Sequence, residues 1–308
     1  MATVNADPPV LTATQMLRHG LLLLQVDDQM QASRQRSTNV GVFKKHFGPH
    51  PLHAARVWAE MLTCQVSCPA AFVTPAQANV NGFFYALHFL RSYPVNEDNA
   101  ATRWRICAQT LRKKVWFFVE KLAALAELKI AMPTANEWLT TFIVSVDGTH
   151  FQLQEPRDPN VRRNRTNYSH KFHSAGVNYE VAVALFMQKI VWINGPMKAS
   201  VNDTTAFKAS LMAEIPHGKR VIVDNGYEGL PDTFSNYNQF DTPEMKEFKR
   251  RAKSRQESVN SRMAVYNCLA DRFRHKRAKH GICFRAVAVL VQYAIEDEGP
   301  YGEPLFDI

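Results

Sequence analysis

The sequence predicts an α/β protein: a mixed sheet flanked by helices, with an all-helical region before it. Three features of the apolar pattern say so. Apolar residues recur at helical spacing as far as Pro133 and Trp138, give way to short β-branched runs, and return to helical spacing in a very polar stretch from Glu244. At 308 residues and 46% hydrophobic, the chain has material for a full core and enough length for two domains.

Residues 1–38 read as polar and partly flexible. After them Phe43 and Phe47, then Val57, Trp58, Met61 and Leu62, mark two helices, with Pro51 suited to the first turn of the second. The pair either side of 49–51 serves packing or forms a helix-turn-helix that reads DNA. Phe83, Phe84, Leu87, Phe89 and Leu90 make a further apolar segment before Pro94, and Trp104, Cys107, Leu111, Val115, Phe118 and Leu122 predict one long helix over 101–128. The helical region is therefore placed at 39–139, a second domain at 140–298 and a tail at 299–308.

In the second domain the β-type runs are 141–146, 177–186, 189–193 and 219–223. Asp203 stands at a helix N-cap position ahead of Phe207, Leu211 and Met212, and one long helix is expected over 244–279. The order β-β-β-α-β-α is that of a ribonuclease H-like core.

Four carboxylates fall at comparable places in that order. Asp147 ends the first strand before a turn at Gly148, Asp203 opens the helix, Asp224 ends the run Val221-Ile222-Val223, and Glu257 lies early on the last helix. In such a sheet the first and fourth strands are neighbours, so Asp147 and Asp224 can share hard cations, with Glu257 closing the site from its helix. Each has a plainer reading: Asp203 as a cap, Asp224 before Asn225-Gly226 as a turn former, Glu257 as one more solvated charge.

The net charge of +9 points to a polyanion, because neutralising phosphates releases condensed counterions. Arg162, Arg163, Arg165 and Lys171 crowd the loop after the first strand, and Arg250, Arg251, Lys253 and Arg255 precede Glu257. Both clusters fit phosphate contacts to double-stranded DNA, which hold register without reading sequence. A solvated basic helix, or a nuclear localisation signal at 249–253, is the alternative for the second. The five cysteines contain no C-x-x-C pair, which fits a reducing compartment. With no secretory leader pattern and no apolar run of spanning length, a soluble intracellular protein without membrane contact is expected.

The acids stand in Asp147-Gly148-Thr149-His150, Asn202-Asp203-Thr204-Thr205-Ala206-Phe207, Asp224-Asn225-Gly226-Tyr227 and Ser254-Arg255-Gln256-Glu257. In this order the four motifs resemble the PIF/Harbinger group of DDE transposases, from about Phe43 through Gln292 and most closely over 141–280. The resemblance implies a ribonuclease H-like nuclease that cuts at element ends and joins 3′ ends to new DNA with Mg²⁺ or Mn²⁺. It makes Asp147, Asp224 and Glu257 the catalytic triad, with Asp203 a fourth metal ligand or only a cap. His150, Asn202 and Tyr227 become supporting residues beside the acids. It further implies a nuclear location, a separate Myb-like DNA-binding partner and a homo-oligomer that pairs two DNA ends. The contrasting expectation is a domesticated relative that keeps the fold as a DNA- or protein-binding scaffold without catalysis.

Overall fold

The structure is a computed structural model and describes residues 10–26, 36–155 and 165–299. Arg162, Arg163 and the tail beyond Gly299 lie outside the described residues. The chain forms two compact units, one of 1–129 with 265–271 and 282–294, the other of 130–264 with 272–281 and 295–308. The late chain thus alternates between units, where the sequence suggests one boundary near residue 140.

The first unit is helical: α1 Ala13–Leu23, α2 Arg36–Phe47, α3 Pro51–Thr63, α4 Val80–Ser92, α5 Glu97–Arg103, α6 Ala108–Ala124 and α7 Ala126–Lys129. Within the stretch expected to be polar and partly flexible, α1 is a regular helix. Thr12 and Gln15 form a reciprocal capping box, and Met16, Gly20 and Leu21 are buried on one face. The helix expected over 101–128 is broken. Arg105 takes a left-handed backbone with φ of 52°, and Cys107 restarts the chain as an extended N-cap. Trp58, Phe83, Phe84 and Phe118 pack at the centre, with the Trp58 and Phe83 rings 5.5 Å apart. The deep burial of Phe43, Phe47 and Trp58 gives the α2–α3 pair a packing role.

The second unit holds the sheet: β1 Phe142–Gln152, β2 Tyr168–Ser169, β3 Ser174–Ala184, β4 Ile190–Lys198, β5 Arg220–Ile222 and β6 Phe234–Ser235. The order across it is β4-β3-β1-β5-β6, with β2 beside the start of β3. β1, β3 and β4 are antiparallel, while β1, β5 and β6 run parallel. This mixed sheet flanked by helices is the expected ribonuclease H-like arrangement. α8 Asp203–Ala209 connects β4 towards β5, and α9 Pro243–Ala264 follows β6. The helix expected over 244–279 ends at Ala264, because Tyr266 adopts an extended conformation and caps the short α10 Asn267–Ala270. Phe273 then pairs with the end of β1, donating to Gln152 and accepting from Gln154, before α11 Arg277–Glu298 begins.

Strand pairing sorts side chains onto two faces. Val144, Val146 and Gly148 oppose Ala184, Ala182 and Glu180, and this face carries a core with Phe207, Leu211, Val221, Tyr227 and Phe234. On the other face Leu185 and Ile222 pack with Phe248 and Ala252 of α9.

Candidate active site

Asp147 is not at the end of its strand. β1 runs on five residues beyond it, through Gly148, and what ends is the parallel neighbour β5. Ser145 pairs with Ile222, and continuing that register sets Asp147 level with Asp224, just past the last residue of β5. The acid sits at a notch in the sheet.

Gly148 does not turn the chain; it makes room. A Cβ built there would collide with Asp203 Oδ1, so the carboxylate of α8 occupies the space a side chain would take. Asp203 is free to do this because Asn202 is the N-cap, its Oδ1 accepting from the Thr205 N–H at 2.8 Å. Asn202, one residue before the expected position, is thus the cap. Gly226 repeats the device: a Cβ there would lie 3.1 Å from Asp224 Oδ1 and 3.8 Å from Asp203 Oδ2. Glu228 N–H donates to Thr204 Oγ1 at 3.0 Å and ties the Asp224 loop to the first turn of α8.

Each acid is also held by amides. Asn260 of α9 donates to Asp147 Oδ2 at 2.8 Å, and Asn178 of β3, fully buried, donates to Asp203 Oδ1 at 3.3 Å. Asp224 Oδ1 accepts from the Gly226 N–H at 2.9 Å, and Asn236 donates to the carbonyls of Asp224 and Tyr227. Burial first, then the charges of Asp224 and Asp203, push the Asp147 carboxyl up to about 6. The charges of Asp224 and Asp203 thus press on Asp147 at the notch, which is the electrostatic condition a cation relieves.

Glu257 is the main departure. Its side chain is 65% exposed, with Lys253 Nζ at 3.8 Å. The expectation that Glu257 faces inward fails because the inner face of α9 is formed by Phe248, Ala252, Arg255, Gln256, Val259 and Met263, leaving Lys253, Glu257, Ser261 and Ala264 to solvent. Asn260, three residues on, is the α9 side chain that reaches Asp147.

Arg255 corrects the list of expected phosphate contacts. It is buried at 3% exposure, donating to the carbonyls of Ala184 at 2.9 Å and Met187. Arg250 and Arg251 both bond Glu247, whose carboxyl they pull down to about 2. Lys253 and Lys171 are exposed, and Lys171 lies close enough for its charge to be felt at Asp147. Of Arg165 only the backbone is described. His150 is half-buried in β1, hydrogen-bonded to Ser169 at 3.3 Å and held below the usual imidazole range by burial. Tyr227 is buried in the core beside Phe207 and Phe234, with a hydroxyl that meets no partner among the described residues.

Sequence reasoning missed Glu180. Opposite Gly148 and 1% exposed, it accepts from Ser210 at 3.4 Å. The indole N–H of Trp192 eases its charge without making a hydrogen bond, and burial pushes its carboxyl up to about 7. One carboxylate inside the apolar run Val177–Ala184 was the available signal.

One comparison with known proteins finds a match. Residues 146–292 match the family model of the DDE superfamily endonucleases. No curated protein and no solved structure matches the chain. The DDE match covers just under half of the sequence and takes in Asp147, Asp203, Asp224 and Glu257, so a transposase-like nuclease domain is supported at that coarse level. Among the described residues no three His, Cys, Asp or Glu side chains stand at metal-holding distance together. The donor set still suits the hard cations of DDE enzymes. Mg²⁺ keeps several waters and takes only one or two carboxylates, and the mutual repulsion at Asp147 is the charge such an ion offsets.

Proposed function

We propose that this chain is a divalent-metal-dependent DNA endonuclease and strand-transfer enzyme of the PIF/Harbinger type. The observation that carries the reading is the meeting of Asp147, Asp203 and Asp224 at the β1–β5 notch, inside the segment that matches the DDE endonucleases. One or two of Asp147, Asp203 and Asp224, with water completing the shell, would hold Mg²⁺ or Mn²⁺. What bound cations supply is Lewis acidity for an in-line phosphoryl displacement. The chain's own part is positional. Asn260 and Asn178 fix two of the carboxylates, and the two glycines let α8 and the Asp224 loop close on β1.

Asp147, Asp224 and Glu257 are the triad in this proposal. Glu257 is kept in it on its motif and its place inside the segment that matches the DDE endonucleases, although its side chain points to solvent one turn before Asn260, which touches Asp147. Double-stranded DNA is the substrate, met in part by the exposed Lys171 and Lys253. A Myb-like DNA-binding partner, a homo-oligomer and a nuclear site of action complete the reading.

The test is cleavage of a labelled duplex carrying the terminal repeats, in Mg²⁺ or Mn²⁺, by wild type, Asp147→Ala and Glu257→Gln. Metal-dependent nicking by wild type that both variants lose is the expected result. The exposed position of Glu257 favours a second reading, a domesticated scaffold. Salt-sensitive DNA binding with no cleavage by wild type would select the scaffold over the nuclease.

A further inference from the structure

Next to the acids lies a cavity of about 420 Å³ that none of the chemistry above uses. It starts at Asn225, the residue after Asp224, and continues along the β5–β6 connection to Tyr237. Its deep surface is aromatic: Tyr227 and Phe234 are 1% and 3% exposed. Pro231 adds an apolar wall, while Asn225 and Glu228 are exposed and polar. Tyr237 is 59% exposed, a large ring left in water although burying it would be favourable.

The loop bearing Tyr237 is tied down. Asn236 spans the carbonyls of Asp224 and Tyr227 at 2.7 and 2.8 Å. Lys249, buried on α9, donates to the Asn236 carbonyl and to Asp241 Oδ2 at 2.8 Å, and Asp241 in turn accepts from the Asn238 N–H. The backbone on either side of Tyr237 is therefore held, at Asn236 and Asn238, before any ligand arrives.

The volume is in the range that accepts a small planar ligand. Among the described residues that line the cavity there is no Lys, Arg or His, and Lys208 Nζ stands beside Gly229, so the walls themselves favour a ring over a phosphate. The rings offer stacking instead, and the Asn225 amide offers one donor group and one acceptor, the complement of a base edge. We infer that this cavity is a subsite for a single unpaired nucleobase of the strand whose phosphate lies at Asp147 and Asp224, with Tyr237 as its stacking ring. The inference deepens the nuclease reading and rests on it for the identity of the strand.

The experiment needs neither cleavage nor a known target sequence. Fluorescence anisotropy of the full chain, without divalent cation, compares a labelled thymidine oligonucleotide with an abasic phosphodiester chain of the same length. Phosphate contacts are common to both, and only the first has bases to stack. Tyr237→Ala is expected to weaken thymidine-oligonucleotide binding by about tenfold and leave abasic binding unchanged, with Tyr237→Phe close to wild type. Asn225→Ala should show a smaller loss of the same selectivity. Unchanged affinity of Tyr237→Ala for both ligands, or an equal loss on both, would overturn the subsite and leave the nuclease reading standing. Failure of wild type to bind either ligand would overturn the subsite and the DNA reading together.

Discussion

On the α9 face of the sheet, Arg255, Gln256 and Asn260 each donate to a named acceptor, although Asn260 Oδ1 and Ser258 Oγ meet no partner among the described residues; on the α8 face the oxygens without one, Glu180 Oε1 and the Tyr227 hydroxyl, belong to groups that donate no such bond, and one of them is a carboxyl. Gln256 also accepts from Ser145 at 2.8 Å, so that face is stitched across helix and strand. Buried polar groups that are satisfied rigidify, and those that are not store an electrostatic cost. The α9 face therefore acts as scaffold, while the α8 face holds charge in a state that a proton or cation changes.

Breaking the scaffold should give the largest effect. Arg255→Ala removes the donor to the Ala184 carbonyl at the end of β3 and to the Met187 carbonyl in the β3–β4 connection and opens a cavity, and should lower stability by about 3 kcal/mol in urea unfolding, while Lys253→Ala two residues earlier changes it by less than about 0.5 kcal/mol. Equal values for the two would remove the distinction between buried and solvated charge on this helix. Gly148→Ala targets the α8 face. The atoms nearest its added methyl are all at the end of the Asp203 side chain, so the fold should survive while that carboxylate is displaced, with metal-dependent cleavage falling roughly hundredfold. A folded variant with full activity would take Asp203 out of the site.

Glu180→Gln sharpens the comparison through pH. The folded carboxyl is raised to about 7 from an ordinary 4.5, so the native state holds a proton that the unfolded chain has released. Its contribution is present below the ordinary value and lost as pH rises through the folded one. Wild type should lose roughly 2 kcal/mol between pH 5 and pH 8 from this group, and Glu180→Gln should flatten that fall in a series of thermal melts. An unaltered slope would mean that Glu180 is not the group titrating. The smallest effect belongs to Glu257→Gln, whose exposed pairing with Lys253 predicts a stability change under about 0.5 kcal/mol. Any larger shift would place Glu257 in the α9 scaffold after all.

The contrast between the faces also explains what could be read in advance. Asp147 and Asp224 follow β-branched runs, and the pleat and parallel pairing carry them to one place, so local pattern sufficed. Asp203 was visible at a helix start, but its freedom depends on Asn202 taking the cap, a one-residue difference that composition does not resolve. Glu257 and Arg255 were misread together. In a helix this polar nearly every face looks solvated, and only packing shows that Arg255 turns in and Glu257 out. The break at Tyr266 was hidden because no proline or glycine marks it. Glu180 was lost in an apolar strand, although alternation put it on the face of Ala182 and Ala184.

Because β1 passes through the site and is laddered to β3 on both sides of Asp147, the acid has no hinge of its own. It cannot fray into solvent while the rest of the unit stays folded; displacing it means opening the central hairpin, which belongs to the costliest class of local openings. Assembly of the acidic notch and assembly of the sheet are then one cooperative event. A nascent or partly unfolded chain would lack the aligned carboxylates altogether, so under the proposed function it could not act before the sheet is complete.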